Sequence, residues 1–413
     1  MQYGHAAKFL LYNSSIKRLL NFLLLKPYRI FATKFHTLQP IRMVDLAGQH
    51  KKIEQEIQAA INEVMSTTAF IKGPDVRKFE EELAQYLKCK HVIGCANGTD
   101  ALQLALMALD LPAGAEIITP DFTFVATAEV VKLLDFTPVL VDVDLDTFTI
   151  DIDKLRSAIT PRTKVIIPVH LFGQCADMDA IMQIAEEHKL YVVEDTAQAI
   201  GTNYTFKDGS IKKAGTIGHI GCTSFFPSKN LGCAGDGGAV FTNDDDLRKK
   251  IETIANHGQG NQYYYETIGV NSRLDTLQAA ILRIKLRNLD EYNNARRQAA
   301  DFYDHAFSGN KNLQIPFRNT SSTHTFHQYT LRVKNGRRDE LMQYLNEKNI
   351  PNKIYYPVPV HAHQPYAESS IFNKNNLQHT IRLSAEVLSL PMHTELQQEQ
   401  LNYITQTVND FFN

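Results

Sequence analysis

At 413 residues the chain is too long for one ordinary core, and its 44% hydrophobic content is enough for a large core with a smaller one beside it, so two domains are expected. The formal net charge is -2, but residues 1 to 42 hold seven Lys and Arg and no acid, which leaves a body of net charge -9 that repels phosphate backbones and excludes nucleic acid as a partner. Five cysteines (Cys89, Cys95, Cys175, Cys222 and Cys233) contain no C-x-x-C pair, which argues against a zinc ribbon and a disulfide framework and for the reducing cytoplasm.

The N-terminal stretch mixes apolar residues with Lys17, Arg18, Lys26, Arg29 and Lys34. Its longest apolar run, Leu19 to Leu25 interrupted by Asn21, is too short to span a bilayer, and no small-residue cleavage site follows it. Residues 1 to 42 therefore read as an extension. It is either a basic amphipathic segment at a membrane surface or, the preferred reading, residues upstream of a natural start at Met43.

From there helical and strand signals alternate. Ile57, Ile61 and Val64 repeat at helical spacing in Gln55 to Met65, and Phe79 to Leu87 continues the pattern. Seven short β-branched runs follow: His91 to Ala96, Glu116 to Pro120, Thr137 to Val143, Thr163 to Leu171, Tyr191 to Thr196, Cys222 to Phe226 and Gly238 to Thr242. Helical stretches at Thr99 to Leu109, Ala126 to Leu134 and Met178 to His188 separate several of them. This order predicts an α/β domain with a mainly parallel, buried sheet. Long helical patterns, Asp275 to Leu289 and Tyr292 to Phe307, then lead into a smaller α+β region with a strand at Tyr329 to Val333 and a helix at Asp339 to Lys348. The expected boundaries are 1 to 42, 43 to 290 and 291 to 413. His361 and His363 have metal-ligand spacing but no partner cluster; a solvated loop accounts for them, and no metal is expected.

In parallel sheets, ligands sit at the carboxyl ends of the strands, so chemistry is sought there. The strand Tyr191 to Asp195 ends in a carboxylate that is costly to bury without a cation or hydrogen-bond donors. A pyridinium nitrogen is one such partner; capping the next helix is the competing reading. Lys229 follows an aromatic strand and precedes Gly232, Gly235, Gly237 and Gly238. A desolvated lysine there has a lowered pKa and can form a Schiff base, whereas a surface lysine in a turn is the ordinary alternative. Gly98 and Thr99 stand where a strand end turns into a helix, a place that binds phosphate but also occurs at plain helix starts. Phe124 follows another strand end, where its face could stack on a ring or simply pack. Phosphate loop, aromatic, carboxylate and lysine in chain order point to pyridoxal 5'-phosphate (PLP) chemistry.

These residues sit in the segments GPDVRKFEEELAQYL, CANGTDALQLALMAL, PDFTFVATAEVV, VEDTAQAIG, TSFFPSKNLGCAGDGGAVFTNDD, HGQG, GVNSRLDTLQAAIL and VLSLPMH, in that order. Through them the chain, from Met43 to Asn413, resembles the DegT/DnrJ/StrS sugar aminotransferases. The resemblance implies a fold-type I PLP enzyme that forms homodimers. It implies that Lys229 is the Schiff-base lysine and Asp195 the partner of the pyridine nitrogen. Gln198 would contact the ring hydroxyl and Phe124 stack on the ring. Gly98, Thr99 and Ser224 would hold the phosphate, with Asn271 reaching in from the partner subunit; Arg273 of that partner, with Tyr355 and Tyr356, would line the sugar site. Within the family the wording resembles aminotransferases acting on UDP-2-acetamido-2-deoxy-3-oxo-hexuronate for surface polysaccharide, with L-glutamate as amino donor. A dTDP-3-oxo-6-deoxyhexose or a 4-keto sugar is the alternative substrate, and a non-catalytic PLP or sugar-nucleotide sensor a further one. Thr196, Ala234 and Tyr355 depart from the uronate pattern. Against a Rossmann dehydrogenase, no G-x-G-x-x-G follows the first strand.

Overall fold

The helix Leu46–Thr67 begins where the Asp45 carboxylate accepts from the Gly48 N–H, and it buries Ile53, Ile57 and Val64 on one stripe. The structure, a computed structural model, describes residues 39 to 413. Most of the expected extension lies outside the described residues. Of its last residues, Ile41 packs against the C-terminal core and the Pro40 carbonyl accepts from Gln400 Nε2, so these belong to the body of the protein.

Seven strands form the main sheet: β1 (His91–Cys95), β2 (Glu116–Pro120), β3 (Thr137–Val141), β4 (Thr163–Ile166), β5 (Tyr191–Asp195), β8 (Ile220–Ser224) and β9 (Gly238–Thr242), in the order β1-β9-β8-β5-β4-β2-β3. Two short strands, β6 (Asn203–Thr205) and β7 (Ile211–Lys213), pair beside it. Only β9 runs against its neighbours, so the sheet is mainly parallel as expected. Its strands are apolar on both faces because helices cover both. Leu102, Leu104 and Ala105 of helix Gly98–Met107 pack on one side, and Ile181, Ile184 and Ala185 of helix Met178–His188 on the other.

The register carries the site. Cys95 pairs with Gly238, Gly238 with Ser224, and Cys222 with Asp195, so the ends of β1, β8 and β5 come level along one edge. One expected strand is much shorter than anticipated, and another, expected at Cys222 to Phe226, is shifted to Ile220–Ser224. The run from Thr163 leaves the sheet after Ile166 and turns through Leu171–Gly173, where Phe172 takes φ 57°, and β8 stops at Ser224, where the lysine loop begins.

A hairpin, β10 (Gln259–Asn261) with β11 (Tyr264–Tyr265), precedes helix Thr276–Arg287, and Asn288 joins that helix to Leu289–Phe307. A second, antiparallel sheet of β12 (Leu313–Gln314), β13 (Tyr329–Val333) and β14 (Val387–Leu390) has its own core, in which Tyr303, Phe307, Tyr329, Leu345, Leu390 and Ile404 are fully buried. The solvated loop expected for His361 is overturned. The chain folds back over the end of β2, and His361 is buried with Nδ1 2.6 Å from an Asp121 oxygen, while His363 is exposed. Among the described residues no cluster of three metal-ligating side chains exists, and no helix is long and apolar enough to cross a membrane.

Candidate active site

The level strand ends open onto a cavity of about 830 Å³. Gly98, Thr99, Phe124, Asp195, Gln198, Ser224, Lys229, Tyr355 and Tyr356 all line it; Asn271 and Arg273 do not. Asn271 is exposed, and Arg273 Nη1 donates to Asn256 Oδ1 at 3.2 Å outside this cavity.

One wall is the start of helix Gly98–Met107. Asn97 caps it by accepting from the Asp100 N–H at 2.8 Å, which leaves the Gly98 and Thr99 N–H groups without helical partners. Glycine is required at 98 because a Cβ would lie 2.6 Å from the Ser224 Cβ, so the helix end meets the end of β8 almost in contact. N–H groups and a hydroxyl gathered there suit a phosphate.

Asp195 forms the floor. Its two oxygens accept from the Thr127 hydroxyl and the Ala197 N–H, each at 3.0 Å, and it makes no ion pair among the described residues. A nearly buried carboxylate with neutral donors and no ion pair among the described residues fits a cationic ring nitrogen. Beneath it Glu194 is fully buried and accepts from the N–H groups of Gly215, Ile217 and Gly218 and from His170, which locks the end of β5.

Lys229 emerges after β8, its N–H donating to the Phe226 carbonyl at 2.8 Å. Protein surrounds its amine, although the side chain keeps some surface toward the cavity. Desolvation lowers its pKa to about 8, with the Asp195 charge opposing. The amine makes no hydrogen bond among the described residues. An unshared amine that gives up its proton more readily than an ordinary lysine, in the same cavity as a carboxylate floor and a phosphate-ready helix end, fits a phosphorylated pyridine aldehyde. Gln198 accepts from the Phe172 N–H and donates to the Tyr356 hydroxyl at 3.0 Å, so its amide bridges floor and side wall. Phe124 stays 56% exposed, its ring 6.4 Å from that of Tyr356, free to cover a flat ligand.

Sequence reasoning missed Thr127 and His327. The first lies inside the PDFTFVATAEVV segment, one helical step past the aromatic turn, and the hydroxyl was the available signal; nothing in the sequence distinguishes His327 from its neighbour His324. Thr196 turns away from the cavity, its hydroxyl donating to the Cys222 carbonyl, and Ala234 is exposed beyond the cavity.

The sequence pattern of the DegT/DnrJ/EryC1/StrS aminotransferase family matches residues 51 to 409. The chain belongs to that family. Among the relatives of this aminotransferase, the UDP-2-acetamido-2-deoxy-3-oxo-D-glucuronate aminotransferase of Pseudomonas aeruginosa is 43% identical over 364 residues, 88% of this chain and 98% of that protein. The UDP-N-acetyl-3-dehydro-alpha-D-glucosamine 3-aminotransferase of Acidithiobacillus ferrooxidans is 43% identical over 368 residues, 89% of this chain and 97% of that one. Bacillus subtilis NtdA, solved with bound cofactor PMP, is similar in fold with a TM-score of 0.80 and 32% identity, covering 87% of this chain and 82% of its own.

Proposed function

We propose that this aminotransferase uses PLP to move an amino group from L-glutamate to a nucleotide-linked 3-keto sugar, UDP-2-acetamido-2-deoxy-3-oxo-hexuronate, supplying amino sugars for surface polysaccharide, including lipopolysaccharide. One observation carries the reading: the Lys229 amine, held near pKa 8 and unshared, faces the same cavity as the uncompensated Asp195 carboxylate. The 3-oxo and 3-dehydro sugars named for two relatives at 43% identity support the keto position.

Bound here, the cofactor supplies the electron sink that makes the donor Cα–H acidic. Gly98, Thr99 and Ser224 would hold its phosphate, and Asp195, aimed by Thr127 and Ala197, would keep the pyridine nitrogen protonated. Gln198 would meet the ring hydroxyl and Phe124 would cover the ring. Lys229 Nζ would take the proton from the donor Cα and deliver it to the cofactor carbon on the other side of the transferred nitrogen; a pKa near 8 leaves roughly a tenth of the amine neutral at pH 7 and makes its ammonium a competent acid.

The cavity's own charge supports a homodimer. Among its lining residues Lys229 and the neutral His327 stand against Asp100, Asp195 and Asp236, yet it must accept a phosphate and a sugar nucleotide's diphosphate. Asn271 and Arg273 of a second copy supply the missing contacts, and Tyr355 and Tyr356 line the sugar end. The enzyme works in the cytoplasm, with a PLP-binding domain at 43 to 290 and a smaller domain at 291 to 413. The test is to add candidate keto sugar nucleotides to the cofactor's amine form and follow the return of the visible absorption. The 3-keto uronate restores it fastest; faster recovery with a dTDP-3-oxo-6-deoxyhexose or a 4-keto sugar refutes the substrate, and recovery with none refutes the activity.

A further inference from the structure

Behind Lys229 lies a buried polar chain that the reaction as described does not use. Asn230, the next residue, is buried, and its Nδ2 donates to the Asn293 Oδ1 at 2.7 Å and to the Thr325 carbonyl at 3.0 Å. Asn293, on helix Leu289–Phe307, uses its own Nδ2 on the Ile200 carbonyl at 3.2 Å. Carbonyl oxygens only accept, so both amides are fixed in orientation from outside. The Oδ1 of Asn230 is then the atom 3.2 Å from the Nδ1 of His327, and Nδ1 must carry the hydrogen. His327 is buried, and desolvation, reinforced by the positive charges of Lys229 and Arg296, holds its pKa well below the usual range. Arg296, three residues after Asn293, fastens the backbone by donating to the carbonyls of Phe326, His327 and Met392. A neutral imidazole with its hydrogen on Nδ1 presents a bare Nε2 lone pair, and His327 lines the same cavity as Lys229.

We propose that His327 is a positioning residue whose Nε2 accepts a hydrogen bond from the Lys229 ammonium each time that lysine has taken a proton, and that Asn293 and Asn230 exist to fix the required tautomer. The inference rests on Lys229 being the proton-carrying lysine. Among the described residues the amine makes no hydrogen bond, and the two bonds that Asp195 accepts aim its oxygens at Thr127 and Ala197. Without an acceptor, the buried ammonium would hold its proton poorly and return it from an unfixed direction.

The test uses holoenzyme in the cofactor's amine form, where Lys229 is free, with nitrogen-15 in its histidines and His327→Gln for assignment. Nitrogen NMR should find His327 protonated on Nδ1 and bare on Nε2 from pH 6 to 9, and the Nε2 shift should follow the titration of Lys229. His327→Leu should keep its cofactor but lose roughly 100-fold in the amino-transfer half-reaction. Its Lys229 should titrate at lower pH than in the wild type. His327→Gln, which offers an amide oxygen at the Nε2 position, should recover most of the rate. A proton on Nε2, or a leucine variant with wild-type rate and an unmoved Lys229 titration, overturns the proposal. If the leucine variant does not fold, the tautomer measured in the wild type decides alone. Borohydride attachment of the cofactor to Lys229 is unaffected by either result, so failure here is distinct from failure of the aminotransferase reading.

Discussion

Asp195 and Lys229 divide the work by their surroundings. The carboxyl group is nearly buried and receives two hydrogen bonds, from the Thr127 hydroxyl and the Ala197 N–H, which fix its direction at the cavity floor. Asp195→Asn keeps the shape and much of the cofactor affinity but cannot hold a ring nitrogen protonated. Its turnover should fall roughly 100-fold or more, and near-normal steady-state rates would remove the role assigned to Asp195. Lys229 is the opposite case, a cation that burial disfavours. Its pKa is about 8 in the fold against 10.5 in an unfolded chain, so between those values the unfolded state binds more protons. The penalty is complete below pH 8 and fades as pH rises toward 10.5. Cofactor-free Lys229→Met should therefore melt above wild type at pH 7, with the gap closing through that window. A gap that stays constant to pH 10.5 would show that the lysine is not desolvated.

Among the elements, the decisive one is the junction between the start of helix Gly98–Met107 and the end of β8. A Cβ at residue 98 would press on Ser224 at 2.6 Å and push the phosphate-ready N–H groups away. Overpacking of this kind costs about 1 to 3 kcal/mol, roughly five- to a hundredfold in affinity if it falls on the phosphate. Gly98→Ala should fold normally and release PLP in equilibrium dialysis at concentrations where wild type retains it; unchanged affinity would place the phosphate elsewhere. All seven strands of this sheet were legible, because strands buried on both faces read as apolar runs bounded by turns. The bounds of Glu116–Pro120 and Gly238–Thr242 were legible too, but the end of β4 was not, since Val169 to Leu171 is as apolar as the strand it follows. The second sheet was largely invisible. Its β14 grows directly out of helix Gln378–Glu386 with no turn residue between them, and its β12 is only two residues long. Among the site residues, those next to glycines or at strand ends stood out. Thr127 and His327 did not, because a threonine within a helix and a histidine before a strand are ordinary until tertiary packing aims them.

For the whole molecule, the cavity is acidic while both its proposed occupants are anionic, and Arg273 lies outside the cavity of its own chain. If Arg273 serves the partner's site, Lys229→Ala and Arg273→Ala homodimers each lack an intact site, whereas a mixed dimer gathers both defects in one site and leaves the other whole. Random co-assembly makes about half the dimers mixed, so co-expression should return about a quarter of wild-type activity. No rescue, with mixed dimers verified by mass, would refute the shared site.

Lys229 is the lysine proposed to carry the cofactor in this cavity. The competitor is Lys285, also buried with a lowered pKa, but its Nζ is committed to the Gly232 carbonyl at 2.6 Å. Reducing the yellow holoenzyme with borohydride and mapping the pyridoxyl-labelled peptide tests this directly. The label should fall on Lys229 alone; a label on Lys285 or any other lysine would overturn the assignment.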